Sequence, residues 1–361
     1  MDRACGIDEV AADWAGLHAR HPHATPFTSL GWARAWWPHW AADAEPFLLR
    51  VREGDRTIAL APLVRRRTGP LRILEPVGSE PGDYWDVLAA QEDRSAACEA
   101  LAQALAARTG GWDALILRLL PPDSPLPEAV RAAGLATLER PAARAPAVEL
   151  PATFDAYLKS VSGNRRQNIR RHLKRLDGGE VELTAIEDPE LIAPALERWQ
   201  DFRRAQWDAQ GKDINPEHLS PRFKAFIGDL LRELIPAGQA LLWEFRADGK
   251  VIGTYVNFVD EHAFYWYLGG FDPEVAALGL GKIAITHGMR TSIDAGRTRY
   301  DFTRGPEPYK YWYGAQDRLL PALVVGSASV RSRAALAGAR IQLARRDRNA
   351  ATDAEPAGAP A

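Results

Sequence analysis

The chain has 361 residues, 46% hydrophobic and 25% charged, with a formal net charge of −2. That length is enough to bury a large core and favours two domains over one, and the near-neutral balance excludes nucleic-acid binding driven by bulk charge, leaving local basic patches to serve any anionic partner. The two cysteines, Cys5 and Cys98, cannot build a disulfide framework or a four-ligand zinc site, and they suit a reducing compartment.

The first segment opens with helical patterns at Val10 to Ala19 and Leu30 to Trp40. Extended runs follow at Phe47 to Arg52 and Thr57 to Arg65, joined by Gly54 and Asp55, which is hairpin chemistry. Leu71 to Val77, Tyr84 to Leu88 and Trp112 to Leu119 read as further strands, with an alanine-rich helix at Ala96 to Ala107. Proline density marks Pro121 to Pro127 and Pro141 to Pro146 as loops.

In the second segment a helix is expected from Thr153 to Arg175, stopped by Gly178 and Gly179. A strand at Val181 to Ile186 precedes helices near Pro189 to Trp207 and Glu217 to Ile235. Three strands then form a meander, Ala240 to Arg246, Val251 to Val259 and Ala263 to Leu268, turning at Asp248 with Gly249 and at Asp260 with Glu261. A helix at Gly281 to Ala295, a strand at Arg299 to Thr303 and a strand at Leu319 to Val325 complete the pattern. Beyond it, Arg331 to Arg348 reads as a basic helix with six arginines against one aspartate, a surface for solvent or for anionic membrane. The Ala, Pro and Gly-rich end, Glu355 to Ala361, reads as disordered. Met1 to Val10 carries Asp2, Asp8 and Glu9 and no apolar leader core, and no run approaches about 18 apolar residues. A cytoplasmic protein without a spanning helix is therefore expected.

The expected fold is mixed α/β, with a central mostly antiparallel sheet flanked by helices in each half. The divisions expected are 1–150, 151–330, and a basic helix and tail over 331–361. The second segment's element order is that of the GNAT acetyltransferase fold. Four stretches carry a closer resemblance: GNRRQNIRRHLKR at Gly163 to Arg175, LGLGKIA at Leu278 to Ala284, YDFTRG at Tyr300 to Gly305, and PYK at Pro308 to Lys310 with Gly314. Together and in this order they resemble the CelD/BcsL group of BioF2-like acetyltransferases, relatives of the Fem peptidyltransferases. The resemblance runs over about 150 to 326 and is mainly architectural before that. It implies two tandem GNAT-like halves and an acyltransferase that uses acyl-CoA as co-substrate, with a role in envelope or exopolysaccharide metabolism.

The candidate chemistry lies in three stretches. Gly279 and Gly281, with Leu278, Leu280 and Lys282, open a helix whose free amides suit phosphate. The resemblance implies that this turn holds the pyrophosphate of coenzyme A, although Ala276 to Leu278 stand where a charged residue usually precedes the glycines. Gly279, Gly281 and Ala284, with Asp301 further on, also match a dinucleotide fingerprint, but an antiparallel meander rather than a βαβ unit precedes them.

Acyl transfer needs a base, oxyanion stabilisation and a proton for the leaving thiolate. Asp301 and Glu244 are the candidate bases, Lys310 the oxyanion or phosphate cation, and Tyr309 and Tyr267 the candidate acids. A structural alternative has Asp301 capping a turn and pairing with Arg304. The basic helix places Arg166, Arg170 and Lys174 on one face, suited to an anionic acceptor or to RNA, or else simply solvated, with Ile169, Leu173 and Leu176 docking the other face. Arg304 joins Arg166 and Arg170 as a substrate-binding candidate. No pair of histidines has metal-ligand spacing. The acceptor expected is a small molecule or saccharide. The alternatives are a Fem-like ligase taking an aminoacyl group from tRNA, and a non-catalytic binding module. The tryptophans Trp32, Trp36, Trp37 and Trp40 read as core and rim, with a sugar-stacking platform as the alternative.

Overall fold

The computed structural model describes residues 2–4, 6–107, 111–210, 216–327 and 329–340. The chain begins with β1 (Asp2–Ala4), α1 (Ala11–His18), α2 (Leu30–Trp40), β2 (Ala44–Glu53), β3 (Arg56–Thr68), β4 (Leu71–Pro76), β5 (Leu88–Ala89), α3 (Arg94–Ala107), β6 (Ala114–Leu117), α4 (Leu126–Ala132) and β7 (Ala136–Glu149). It continues through α5 (Phe154–Ser160), α6 (Gly163–Asp177), β8 (Glu182–Ala185), α7 (Pro189–Gln210), α8 (Pro221–Leu234), β9 (Ala240–Ala247), β10 (Lys250–Val259) and β11 (Ala263–Phe271). The remaining elements are α9 (Leu280–Asp294), β12 (Arg299–Asp301), α10 (Pro308–Trp312) and β13 (Gln316–Gly326), followed by a helix over 330–340. The rest of the expected basic helix, the tail and Cys5 lie outside the described residues.

Two compact units form, neither contiguous in sequence. One comprises Met1–Leu30, Trp40–Ala143 and Leu320–Ala361, the other Gly31–His39 and Arg144–Leu319. In the first, strands run in the order β1-β2-β3-β4-β6-β13, antiparallel except for β4 beside β6. The β2–β3 hairpin turns at Gly54 and Asp55, as its residue types require. Leu49, Leu63, Leu115 and Leu117 of the strands pack with Leu101 and Leu105 of α3 and Leu126 of α4.

Two expectations fail here for identifiable reasons. Of the strand expected at Tyr84 to Leu88 only Leu88 pairs, with Leu60 of β3, and the pairing continues to Ala89 opposite Ala59. Side chains rather than a backbone ladder fix the approach to it. Asp86, 2% exposed, accepts from the Val87 amide at 2.9 Å, the Ser124 hydroxyl at 2.8 Å and Arg94 Nη2 at 3.1 Å. Arg94 also donates to Asp123 at 3.0 Å, and the His21 ring bonds the Ala89 carbonyl at 3.0 Å. The second failure is α4, which begins inside the proline-dense Pro121 to Pro127. Prolines suit a first helical turn, where their missing N–H goes unused. The same logic corrects Pro141 to Pro146, which lies within β7: the Pro146 carbonyl accepts from the Phe302 amide at 3.0 Å, a bond that asks nothing of the proline nitrogen.

In the second unit the order is β7-β12-β11-β10-β9-β8, with β11 and β12 parallel and the other pairs antiparallel. Side chains alternate between its faces. Phe264 and Trp266 of β11 join Ile169 and Leu173 of α6 and Ile283 and Ala284 of α9 in one core. Tyr267 of β11 and Phe258 of β10 meet Trp32 of α2, which also packs on Phe226 of α8. Trp32 and Trp36 are thus core residues.

The single helix expected from Thr153 to Arg175 is two. Thr153 accepts from the Ala156 amide at 3.2 Å to start α5, and Ser162 from the Arg165 amide at 3.4 Å to start α6, so a second cap interrupts the run. Ser220 caps α8 in the same way, at 3.0 Å from the Phe223 amide. No helix of the described residues is long and apolar enough to cross a membrane.

The Asp86 cluster generates a stability prediction. Asp86→Ala leaves the buried Arg94 guanidinium short of a partner, and breaking a buried pair costs about 3–5 kcal/mol. Urea unfolding of the variant should show that loss; a cost under about 1 kcal/mol, the centre of the range for point mutations, would mean that the segment is held by other contacts.

Candidate active site

The parallel pairing of β12 with β11 spans only Ala263↔Arg299, Phe264↔Tyr300 and Tyr265↔Asp301. β11 runs on to Phe271, still paired with β10 on its other edge. The chain leaves β12 because the Asp301 carboxylate accepts from the Thr303 amide at 2.8 Å, with Thr303 at φ 55° and Gly305 at φ 111°. Thr303 Oγ1 donates to the Trp266 carbonyl at 3.2 Å, closing the pair. From Tyr267 to Phe271 the β11 edge therefore faces a gap rather than a strand.

The departing loop is clamped. The Lys310 ammonium, 2% exposed, donates to the Arg304 and Gly305 carbonyls at 2.9 Å each and pairs with Glu307 at 2.8 Å. Asp301, 0% exposed, is also held by Arg318 at 3.2 Å and lies 3.6 Å from Arg299. Tyr309, adjacent to the clamp, has its ring edge-on to Phe302 at 6.0 Å. Tyr309 is 44% exposed as a whole. Burial and the nearby Glu307 carboxylate raise its pKa above the usual phenol value, against the Trp266 indole and the Arg203 guanidinium, so at neutral pH it holds its proton.

On the α9 side of the sheet, Gly279 serves as N-cap in the left-handed region at φ 69°. A Cβ there would lie 3.0 Å from the His172 ring of α6, so glycine is needed for the turn and for the fit. The Gly279 carbonyl already takes the amides of Lys282 and Ile283, leaving those of Leu280 and Gly281 as the unbonded amides of the first turn. Behind them stands the Tyr255 hydroxyl. It is buried with no hydrogen-bond partner and lies 3.9 Å from where a Gly281 Cβ would be. Arg175 of α6 donates to the Ala277 carbonyl at 3.3 Å and also to that of Leu278, bracing the turn from outside.

On the α7 side, the absence of a side chain at Gly270 lets α7 rest directly on the open strand: a Cβ there would come within 3.1 Å of the Trp199 carbonyl and 3.3 Å of Arg203 Cγ. Arg203 is half-buried, and burial lowers its pKa against the proximity of Tyr309. His218 lies tilted against Phe223 with ring centroids 4.8 Å apart, and burial with Arg203 and Arg304 pushes its pKa down to about 4.

The structure thus brings Tyr309, Lys310, Asp301 and Arg304 to one loop and sets the Leu278–Lys282 turn on the neighbouring helix. Asp301 pairs with Arg318 and Arg299. The buried Glu244 is bound by Arg198 at 2.6 Å and by Arg246 at 3.5 Å. Tyr267 packs on Trp32 and Phe258. Arg166 donates to the Leu158 and Val161 carbonyls, tying α6 to the end of α5, whereas Arg170 and Lys174 line an open groove with Leu173, Asp177 and Gly178. Sequence reasoning missed Arg203, His218, Tyr255 and His172. The glycine pair Gly269 and Gly270 at the end of a strand was the one local signal that something approaches closely there. Among the described residues no group of three His, Cys, Asp or Glu side chains is placed to hold a metal ion.

Residues 163–311 match the family model of the acetyltransferase (GNAT) domain. That stretch contains α6, β11, the glycine turn, α9, β12 and the loop with Tyr309 and Lys310. No curated protein matches the chain by sequence. Solved structures share its fold across most of its length. FemX aligns at 12% identity and TM-score 0.65, over 90% of this chain and 97% of that one. A conserved protein of unknown function from Bacteroides thetaiotaomicron aligns at 13% and 0.57, over 91% and 100%. The C-terminal domain of a putative lysylphosphatidylglycerol synthetase from Agrobacterium fabrum aligns at 13% and 0.53, over 91% and 95%. At these identities the likeness is one of fold. The fold is GNAT-like, a mostly antiparallel sheet flanked by helices.

Burial gives the site a pH signature. His172, His218 and His287 are each pushed down to about 4 by burial, with Lys282, Arg203 and Arg290 respectively the next cause. Between about 6.5, the free histidine value, and 4, the unfolded chain takes up protons that the folded imidazoles refuse. Folding stability should therefore fall as pH drops through that window. The denaturation midpoint measured from pH 7 to pH 4.5 should decline, and His→Gln at any of the three should flatten the slope. A flat wild-type profile would contradict the burial of these rings.

Proposed function

We propose that the second unit is an acyltransferase of the BioF2-like, CelD/BcsL kind, moving an acyl group from acyl-CoA to an amine or hydroxyl of a polar acceptor. One observation carries this reading: a helix N-terminus with two unbonded amides opens beside a sheet-edge gap that contains a protonated tyrosine. The amides of Leu280 and Gly281 and the orphaned Tyr255 hydroxyl supply donors where a diphosphate needs them. The gap from Tyr267 to Phe271 presents unpaired strand edge to an extended amide-bearing chain such as the pantetheine arm.

In this reading the acceptor attacks the thioester carbonyl, the carbon–sulfur bond breaks, and Tyr309 gives its proton to the departing thiolate. The phenolate recovers a proton from the acceptor nitrogen or oxygen. Trp266 and Arg203 both favour that transient phenolate. Asp301 and Lys310 act as positioning residues: they hold the loop that carries Tyr309.

A second reading is favoured by one feature, the groove of ≈ 430 Å³ lined by Arg170 and Lys174 on the basic helix. It would suit RNA, and the donor would then be an aminoacyl-tRNA.

Calorimetry with acetyl-CoA tests the first reading. The wild type should bind, and Gly281→Val should lower affinity at least about tenfold, the equivalent of roughly 1.4 kcal/mol, at unchanged thermal midpoint. The nearest group to a Cβ at Gly281 is the Tyr255 hydroxyl at 3.9 Å, so the fold has room for a side chain while the cradle does not. Absence of acetyl-CoA binding with retention of aminoacyl-tRNA binding would install the second reading instead.

Tyr309→Phe separates the chemistry from the binding. It should leave acetyl-CoA affinity intact and lower the rate of coenzyme A release with an accepted amine by about 10²-fold or more, the usual scale for a general acid. A variant that turns over at the wild-type rate would remove Tyr309 from the reaction.

A further inference from the structure

Among the described residues Arg203 has no counter-charge. Its neighbours on and around α7 are paired: Arg198 with Glu244, Arg204 with Asp201, Lys224 with Glu197, Arg222 with Glu217. Among the described residues no carboxylate and no hydrogen-bond acceptor engages the Arg203 guanidinium, half-buried as it is. The contact of α7 with Gly270 fixes its stem over the open β11 edge. Arg203 lies within electrostatic reach of the His218 ring. Glu217, the carboxylate that also acts on that ring, is bound by Arg222 and the Ser220 hydroxyl. Taking a guanidinium out of water with nothing to balance it is unfavourable. A half-buried, uncompensated arginine at the mouth of a gap fits a ligand that brings the negative charge, and its planar fork matches a carboxylate or phosphate.

We propose that Arg203 binds an anionic group of the acyl acceptor, a carboxylate or a phosphate ester. Arg203 and Tyr309 lie within electrostatic reach of each other, so the acceptor expected carries its anionic group and its amine or hydroxyl on one small molecule. Only the word acceptor rests on the acyl-transfer reading; the anion site itself does not.

The His218 imidazole reports on this place. In full-length protein labelled at histidine, with His218 assigned by His218→Gln, malonate and inorganic phosphate are titrated separately at pH 7. Saturable movement of the His218 resonance with at least one of them is expected. Arg203→Gln should weaken that response tenfold or more, and Arg203→Lys should restore part of it. A response to malonate alone assigns a carboxylate, and a response to phosphate alone a phosphate ester. Phosphate taken up at the α9 turn would instead move His172, which abuts Gly279.

No saturable His218 response to either anion, or an equal one in Arg203→Gln, overturns the proposal. Acetyl-CoA calorimetry on the same samples keeps the two readings apart. Anion binding without acetyl-CoA binding leaves this site standing and removes acyl transfer; acetyl-CoA binding without an anion response removes this site alone.

Discussion

β12 pairs with β11 for three residues and then leaves the sheet, because the Asp301 carboxylate captures the Thr303 amide instead of letting the ladder continue. Every feature of the site depends on that departure. It exposes the β11 edge from Tyr267 to Phe271, gives the Lys310 ammonium a ring of carbonyls to bind, and brings Tyr309 to the gap. Buried polar groups need partners, and here the partners come from the turn itself: the carbonyls of Arg304 and Gly305 would be orphans without Lys310, and Lys310 would be an unpaired buried charge without them and Glu307. The loop is rigid because its polar groups satisfy one another.

Against that background the groups left unsatisfied stand out. Asp301, Glu244, Lys310 and Arg166 each meet partners supplied by the fold. Among the described residues the Tyr255 hydroxyl, the first-turn amides of α9 and the Arg203 guanidinium do not. Two of these three lie at the glycine turn and the third at Gly270, positions where missing side chains let backbone come close. Other buried polar atoms, among them the Asn257 amide, the Thr254 hydroxyl and the Tyr300 hydroxyl, also lack a hydrogen-bond partner; what sets these three apart is that they stand at glycine positions where a ligand could approach.

Much of this was legible in the sequence. The strand meander, its two turns, the glycine entry to α9 and the strand ending at Asp301 all follow from local pattern, because residue periodicity and turn chemistry act over a few residues. What stayed hidden acts over longer distances. Asp301 is held by Arg318, seventeen residues on, and lies close to Arg299. The carbonyls that bind Lys310 become convergent only after Gly305 turns. Arg203 and His218 sit in a helix and a turn that look unremarkable as text, and that no described carboxylate pairs with the Arg203 guanidinium is something only packing reveals. The proline-rich stretches misled in the opposite direction: Pro146 serves a strand through its carbonyl, and Pro127 serves a first helical turn.

The gap also joins two sides of one sheet. The glycine turn and Tyr255 belong to the side covered by α6 and α9, whereas Arg203 and His218 belong to α7 and the turn before α8. Tyr309 is placed between them, with the Trp266 indole of the first side and the Arg203 guanidinium of the second both near its hydroxyl. Two reactants approaching from opposite faces of a sheet can meet only where a strand is missing, and the group that handles the proton must stand there. In the proposed acyl transfer this division makes donor and acceptor recognition physically separable. Changes on α7 would then alter what the second side accepts without touching the amides of the turn, and changes at the turn would leave the arginine in place. The clamp at Asp301 and Lys310 belongs to neither side, and loosening it would displace Tyr309 from both at once.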